Sequence, residues 1–225
     1  MSYFSFAWQW LTSSANWHGA DGIPERLLQH LEYTAIALVI AFVIAVPIGL
    51  AMGHYRRGGF AVVTVANFAR ALPTLGLLVL IFVLTSGSFV SWLIPLAALA
   101  IPPMLVNTYE GVLGIDRELT DAARGMGMTE WQILRKVEIP VALPLILLGV
   151  RTSAIQVVAT ATIAAYIGLG GLGRYIIDGL ARSEYNVVAG GAAVIVVLAL
   201  AVQGLFMLLR VLIVPVGLRK QAQTS

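Results

Sequence analysis

The chain has 225 residues, of which 59% are hydrophobic and only 11% charged, and its mean hydropathy is +0.90. A soluble domain carries about 25% charged residues, so a water-soluble globule and a disordered chain are excluded; the lack of cysteine also excludes a disulfide-stapled secreted domain, thiol catalysis and thiolate metal sites. The net charge of +3 is too small to argue for nucleic acid, which leaves the lipid bilayer as the main solvent.

Residues 1–25 contain no lysine or arginine, so the basic start of a cleavable signal peptide is missing. Trp8, Trp10 and Trp17 suit an extracytoplasmic, interfacial segment over 1–30. The first span is predicted over Tyr33 to Gly53, 21 residues without a charge, which as a helix cover roughly 30 Å. Ala71 to Tyr109 is 39 residues without a charge, too long for one helix, and Thr85-Ser86-Gly87-Ser88 supplies a turn within it. It divides into the outer part of a second span that starts near Phe60 and a third span from about Val90 to Tyr109. Pro73 predicts a kink in the second. Val141 to Tyr166, interrupted only by Arg151, is the fourth span, and Tyr185 to Leu209 the fifth. Strands of a membrane barrel would be about 10 residues of alternating polarity, and these runs are continuous. The predicted fold is an all-α integral membrane bundle of about five transmembrane helices, with a sixth only if Phe4 to Leu11 inserts. The transmembrane domain is read as 31–218, with 219–225 as a tail.

Charge asymmetry sets the orientation. One set of loops holds eight basic residues (Arg56, Arg57, Arg117, Arg124, Arg135, Lys136, Arg219, Lys220), and the opposite set three (Arg26, Arg174, Arg182). The richer side is cytoplasmic, giving an N-out, C-in topology. Arg151, about eleven residues past Pro140, snorkels toward that side in a structural role.

Polar residues in spans are expected to face other helices or a watery path. Thr64, Asn67, Arg70 and Thr74 recur at three- and four-residue steps in the second span, and Thr152, Gln156 and Thr160 in the fourth. Asn107 lies near the cytoplasmic end of the third. These residues either line a translocation path or make interhelical hydrogen bonds. Phe42, Phe68, Phe82 and Phe206 are scattered, so the spans form no aromatic cage for a quaternary amine. Gly49 and Gly53 read equally as close packing or a helix seam.

The longest interior hydrophilic stretch, 110–140, is cytoplasmic. Thr120 is predicted to cap a short helix, with Asp121 in its first turn. Ala122, Ala123, Gly125 and Gly127 then form a surface nearly free of side chains, read either as a docking helix or as a tight turn. Trp131, Ile133 and Leu134 begin an apolar helix, and Pro140 marks the entry to the fourth span. No G-x-x-x-x-G-K-[ST] occurs, so any ATPase is a separate polypeptide. Gly168, Gly170, Gly171 and Gly173, between the fourth and fifth spans, predict a flexible external segment, either a lip or a plain glycine turn. His18, His30 and His54 lie in or beside loops without metal-ligand spacing and are expected to be solvated. Asp178 and Glu184 are placed on an exposed loop, and no catalytic constellation stands out.

Asp121-Ala122-Ala123, three residues, Gly127, nine residues, then Val137-Glu138-Ile139-Pro140 resembles the E-A-A-x3-G-x9-I-x-L-P loop of the membrane subunits of bacterial ATP-binding-cassette importers. Aspartate replaces the usual glutamate, Val137 isoleucine and Ile139 leucine. The segments starting at Gly22, Arg70 and Asn107, and Ala165 to Arg174, are similar to the osmoprotectant branch, although methionine and sulfonate permeases share the Gly-Leu-Gly-Gly-Leu-Gly run. The resemblance implies a type I importer permease bundle in the bacterial cytoplasmic membrane, carrying quaternary amines such as glycine betaine, carnitine or choline. It also implies two partner ATPases that carry ATP–Mg and grip Asp121 to Gly127, and a second permease copy or paralogue. As the chain ends at Ser225, the extracytoplasmic binding protein is expected to be separate. No cofactor, metal or enzyme activity is expected in the chain itself. The rivals are a methionine- or sulfonate-type importer, an ion-coupled carrier, which commonly has acids in its spans, and a membrane-embedded enzyme.

Overall fold

The computed structural model describes residues 3–88 and 90–214, and among them every regular element is helical, with no strand. The side chains of Phe4 and Arg70, and the tail with Arg219 and Lys220, lie outside the described residues. The helices are α1 (Tyr3–Thr12), α2 (Ile23–His54), α3 (Gly59–Ala71), α4 (Thr74–Leu84), α5 (Val90–Leu113), α6 (Arg117–Gly125), α7 (Glu130–Ile133), α8 (Ile139–Ala164), α9 (Gly173–Ala181) and α10 (Tyr185–Ile213).

Four of them, α2, α5, α8 with its preceding turns, and α10, are long and apolar enough to cross a membrane, and the pair α3 and α4 has the length and composition of a fifth crossing only if the two are counted as one broken span. The break falls at Leu72-Pro73, where Pro73 serves as the N-cap of α4 in extended conformation and removes a helical N–H. The expected kink is thus a full interruption. The sixth-span alternative fails on length, because α1 has 10 residues and covers only about 15 Å. The predicted boundary at residue 30 falls inside α2, which starts at Ile23.

The chain packs as two compact units. One draws on Met1–Leu38, Leu72–Ala98 and Ala154–Gln203, the other on Val39–Ala71, Leu99–Ser153 and Gly204–Ser225. In the first unit, Val158, Leu172 and Leu198 form a buried cluster with Leu27 and Tyr175 against it. Trp10 holds α1 in place: Gly190 leaves room for its indole, since a Cβ there would fall 2.1 Å from Cε3. The Trp10 ring also meets Tyr175 edge-on at 4.9 Å.

In the second unit, Val46, Val112, Ala142 and Ile146 form the core. Gly49 and Gly53 let α2 approach α5, because Cβ atoms there would meet Thr108 at 2.8 Å and Val112 at 2.6 Å. The G-x-x-x-G is therefore a packing seam within the chain. At the end of α5, the Arg56 guanidinium donates to the Leu113 carbonyl at 3.1 Å and the Ile115 carbonyl at 2.7 Å, satisfying carbonyls that the helix leaves open.

Candidate functional site: the loop between α5 and α8

α6 begins four residues earlier than the sequence predicted. Asp116 is its N-cap, its carboxylate accepting the Glu118 N–H at 3.0 Å, whereas the Thr120 hydroxyl sits inside the helix and donates to the Arg117 carbonyl at 2.9 Å. Both residues suit a cap; the aspartate acts first and leaves the threonine within the helix.

The helix ends in a Schellman arrangement. The Gly127 N–H reaches the Arg124 carbonyl at 2.9 Å and the Met128 N–H reaches the Ala123 carbonyl at 3.2 Å. Gly127 takes φ +82°, the left-handed conformation this closure needs. Thr129 then caps α7 in a capping box with Gln132, at 3.4 Å and 2.9 Å. Arg124 fastens the two short helices across the turn. It donates to both carboxylate oxygens of Glu130, at 2.9 and 3.2 Å, and to Asp121 at 2.9 Å. Its hydrogen bonds hold the Glu130 carboxyl below the usual carboxylate range.

The surface differs from the one predicted. Ala123 is buried at 2% exposure and faces inward with Thr120, so it leaves the expected small-residue surface. Asp121, Ala122, Gly125 and Gly127 are exposed, and a Cβ on Gly125 or Gly127 would find nothing within 4 Å. Leu119, Met126 and Trp131 stand out from the same loop, Met126 at 75% and Trp131 at 66% exposure. Sequence reasoning missed them as an outward apolar set. The helical spacing of Leu119, Ala122 and Met126 was the available signal.

Between α7 and α8 the chain makes a π-helical turn, Leu134–Glu138, in which the Ile139 N–H reaches back to the Leu134 carbonyl. Pro140 follows directly and has no N–H to continue an α-helical ladder, which explains the wider turn at this place. Val137 and Ile139 are half-buried and Pro140 is exposed. Glu138 is buried, and its carboxylate lies 2.7 Å from Nδ1 of His54 at the end of α2.

Two of the three histidines correct the sequence reading. His30 is fully buried and its Nε2 lies 3.1 Å from the Val158 carbonyl. His54 is enclosed, with 5% of its side chain exposed, and faces both Glu138 and Glu130. Their partners lie far along the chain and cannot be seen locally. Only His18 is exposed. Among the described residues no group of His, Asp and Glu could hold a metal ion.

The polar stripe residues bond to their own helices. Thr152 donates to the Leu148 carbonyl, Thr160 to that of Gln156 and Asn107 to that of Pro103, at 2.9, 2.8 and 2.7 Å. Thr64, Asn67 and Thr152 are exposed, Thr74, Asn107 and Gln156 half-buried and Thr160 buried.

The glycine run before α9 is a packed corner rather than a flexible loop. The Gly171 N–H donates to the Gln29 side-chain oxygen at 3.0 Å, and Cβ atoms on Gly170 and Gly173 would fall 2.6 Å from that oxygen and 2.2 Å from the Thr162 carbonyl oxygen. Gly168, at φ +92°, has open space around it. Nearby, a cavity of about 420 Å³ is lined by residues that include Trp10, Asp21, Arg26, Arg174, Tyr175 and Arg182. Arg26 pairs with Asp21, and Arg174 with Asp178 at 2.8 Å. Asp178 thus sits on α9 in an ion pair, not on a loop. Burial pushes the Tyr175 hydroxyl up to about 12, and it donates to the Asp21 carbonyl at 2.6 Å.

Residues 31–215 match the family described as binding-protein-dependent transport system inner membrane component. The chain is 35% identical to the glycine betaine/carnitine/choline transport system permease protein OpuCB of Bacillus subtilis (strain 168), over 88% of this chain and 91% of that one. It is 34% identical to the osmoprotectant import permease protein OsmW of Salmonella typhimurium, over 89% and 95%. In fold it is similar to a chain of the inward-facing MetNI methionine ABC transporter, with a TM-score of 0.73 at 24% identity, covering 86% of this chain and 96% of the other.

Proposed function

The chain belongs to the family of binding-protein-dependent transport system inner membrane components, and from that premise we propose that it carries quaternary-amine osmoprotectants such as glycine betaine, carnitine or choline. It is a multi-pass permease subunit of an ABC importer, a class whose members work with ATPases and substrate-binding proteins. The substrate reading is supported by the relatives named for these compounds. A methionine-type cargo is the second reading, and the likeness to the MetNI chain bears on fold alone.

In this reading two ATPases, which hold ATP–Mg, seat on the loop carrying Asp121, Ala122, Ala123, Gly125, Gly127, Val137, Ile139 and Pro140. The observation that carries it is the exposed turn where Gly125 and Gly127 have nothing within 4 Å of a Cβ, flanked by exposed Met126 and Trp131. Buried aromatic anchors and close backbone approach are what a tight protein interface uses. A second permease copy or paralogue completes the path, to which Thr64, Asn67, Arg70, Thr74, Asn107, Thr152, Gln156 and Thr160 contribute. A separate extracytoplasmic binding protein delivers cargo near Gly168, Gly170, Gly171 and Gly173. ATPase closure pulls the paired loops together and favours the outward-open arrangement, because a ligand shifts an equilibrium only through differential affinity for the two states.

The test is affinity purification of the tagged chain from its native membrane in mild detergent, with mass spectrometry of what accompanies it. An ATPase and an extracytoplasmic binding protein are expected, the latter binding a quaternary amine. A chain that purifies alone and moves solute without ATP would refute the proposal.

A further inference from the structure

The cavity of about 420 Å³ beside α1 and α9 takes no part in the loop between α5 and α8. Its size falls in the range of small-molecule pockets, about 300–1,000 Å³. The residues that wall it belong to one of the two compact units and are held by local bonds. The Asn16 amide donates to the Trp10 carbonyl at 2.7 Å, the His18 Nδ1–H to the Ser14 carbonyl at 2.8 Å, and the Tyr175 hydroxyl to the Asp21 carbonyl. A pocket fixed in this way loses little freedom when it is filled.

Besides His18, six ionisable side chains border the cavity, three arginines and three acids. Four of them cancel in pairs, Arg26 with Asp21 and Arg174 with Asp178. Arg182 and Glu184 remain, and among the described residues neither side chain has an ion pair or hydrogen bond. The end of α9 places them. Ser183 takes φ +60°, its N–H reaches the Leu180 carbonyl at 3.2 Å, and the Glu184 N–H reaches the Gly179 carbonyl at 2.8 Å. This Schellman closure sets Arg182 and Glu184 on either side of one left-handed residue, both at the cavity. A lone anion or a lone cation would answer one of the two and meet a like charge in the other. A ligand that carries both charges answers both. A guanidinium takes a carboxylate or phosphate through paired N–H donors, and the Trp10 and Tyr175 rings, which also line the cavity, attract an ammonium.

We propose that this cavity binds a small zwitterion, its anionic group on the Arg182 guanidinium and its ammonium against Glu184 and the two aromatic rings. The cavity adjoins the glycine corner before α9, where a Cβ on Gly170 would lie 3.4 Å from Nη1 of Arg26. On the osmoprotectant reading, on which this role rests, the site holds cargo at the external mouth. It then favours glycine betaine and carnitine, which carry both charges, over choline, which carries only the ammonium. A zwitterionic phospholipid headgroup presents the same two groups and is the other source of this chemistry.

The experiment holds the full chain in nanodiscs of phosphatidylglycerol, a lipid without an ammonium, and follows glycine betaine, choline and acetate by saturation-transfer NMR. Glycine betaine is expected to bind about tenfold more tightly than either of the others, each of which engages one charge only. Arg182→Gln and Glu184→Gln alter exposed side chains, so the melt should stay unchanged. Each is expected to weaken glycine betaine about tenfold, the scale of one charge-assisted hydrogen bond, and Arg182→Gln should leave choline as it was. Glycine betaine binding that neither variant changes overturns the proposal.

Nanodiscs of phosphatidylethanolamine separate the two sources. Phosphatidylethanolamine that stays with the wild-type chain in native mass spectrometry, leaves both variants and displaces glycine betaine makes the headgroup the occupant and overturns the cargo role. Retention of neither glycine betaine nor this lipid overturns the zwitterion site itself. In uptake by the complex purified with its ATPase, Arg182→Gln is expected to raise KM for glycine betaine about tenfold and leave KM for choline unchanged. An unchanged KM for glycine betaine overturns the holding role. A wild-type complex that imports neither compound refutes the osmoprotectant reading instead, with the binding measurements still deciding the site.

Discussion

Gly125 and Gly127 separate a docking role from a structural one, because bulk at the two positions has opposite consequences for the fold. Gly127 adopts φ +82°, where an L side chain costs about 1–2 kcal/mol. Gly125 is the last residue of α6 and is not among the positive-φ glycines. Replacing a helical glycine gains up to about 1 kcal/mol. Neither side chain would meet an existing atom, since nothing lies within 4 Å of either Cβ. Gly127→Ala should therefore lower the chain's thermal midpoint, Gly125→Ala should hold or raise it, and Gly125→Trp should leave it nearly unchanged. If a partner helix or groove closes on this turn, Gly125→Trp must still weaken the complex, because an indole placed where a backbone was to approach forces the surfaces apart. Core overpacking costs about 1–3 kcal/mol, equivalent to roughly a fivefold to hundredfold loss of affinity. The assay is co-purification of the ATPase and ATP-dependent uptake, beside a thermal melt of the isolated chain. Full ATPase binding and uptake in a well-folded Gly125→Trp would refute the docking argument. A loss confined to Gly127→Ala, with its lowered midpoint, would assign the glycine to helix termination alone.

Trp131→Ala should leave the melt unchanged, because 66% of the residue is exposed, yet lower ATPase association about tenfold or more if the indole is an interface anchor; unaltered association would count against it. Arg56→Ala removes two hydrogen bonds to the carbonyls of Leu113 and Ile115 and should destabilise by about 2–3 kcal/mol, read as a fall in denaturation midpoint; a change below the error of the melt would show that water replaces the guanidinium. In the corner before α9, Gly173→Ala should be the most damaging glycine substitution, since its Cβ would sit 2.2 Å from the Thr162 carbonyl oxygen, whereas Gly168→Ala, in open space at φ +92°, should cost only about 1–2 kcal/mol. Equal melts for these two variants would contradict the packed corner.

The spans were legible because a run of about 20 uncharged residues has one economical use in a bilayer, and the same runs reappear as α2, α5, α8 and α10. Pro73 was legible as a disturbance, but not as a complete break, since the sequence does not say how neighbouring carbonyls are satisfied. The single-residue errors share a physical cause. His30 and His54 sit in their own segments like any loop histidine, and only the Val158 carbonyl and the Glu138 carboxylate, 128 and 84 positions away, make them buried groups. Gly170, Gly171 and Gly173 read as freedom because glycine permits it. In the folded chain the same missing Cβ admits Gln29, His30 and the Thr162 carbonyl. Ala123 was assigned to the surface by its size, whereas the face it occupies is set by the helix starting at Asp116 rather than at Thr120.

The loop between α5 and α8 is more constrained than its polar composition implies, and this bears on how it can act. A flexible loop would absorb an applied displacement within itself. Here Asp116 and Thr129 cap the two short helices, the Schellman closure at Gly127 fixes the turn between them, and Arg124 clamps Asp121 and Glu130 across it. Ile133, fully buried, anchors α7 beneath. A unit stapled at each junction moves as one body, because bending it would break several hydrogen bonds at about 1 kcal/mol each. The one irregular segment is the π turn, where the ladder skips to Leu134 and carries Glu138 toward His54. Such turns hold the least regular hydrogen bonding of a helix, so any yielding of the loop against α8 belongs there. The His54–Glu138 contact spans that point and ties the loop to the end of α2 across the irregular turn.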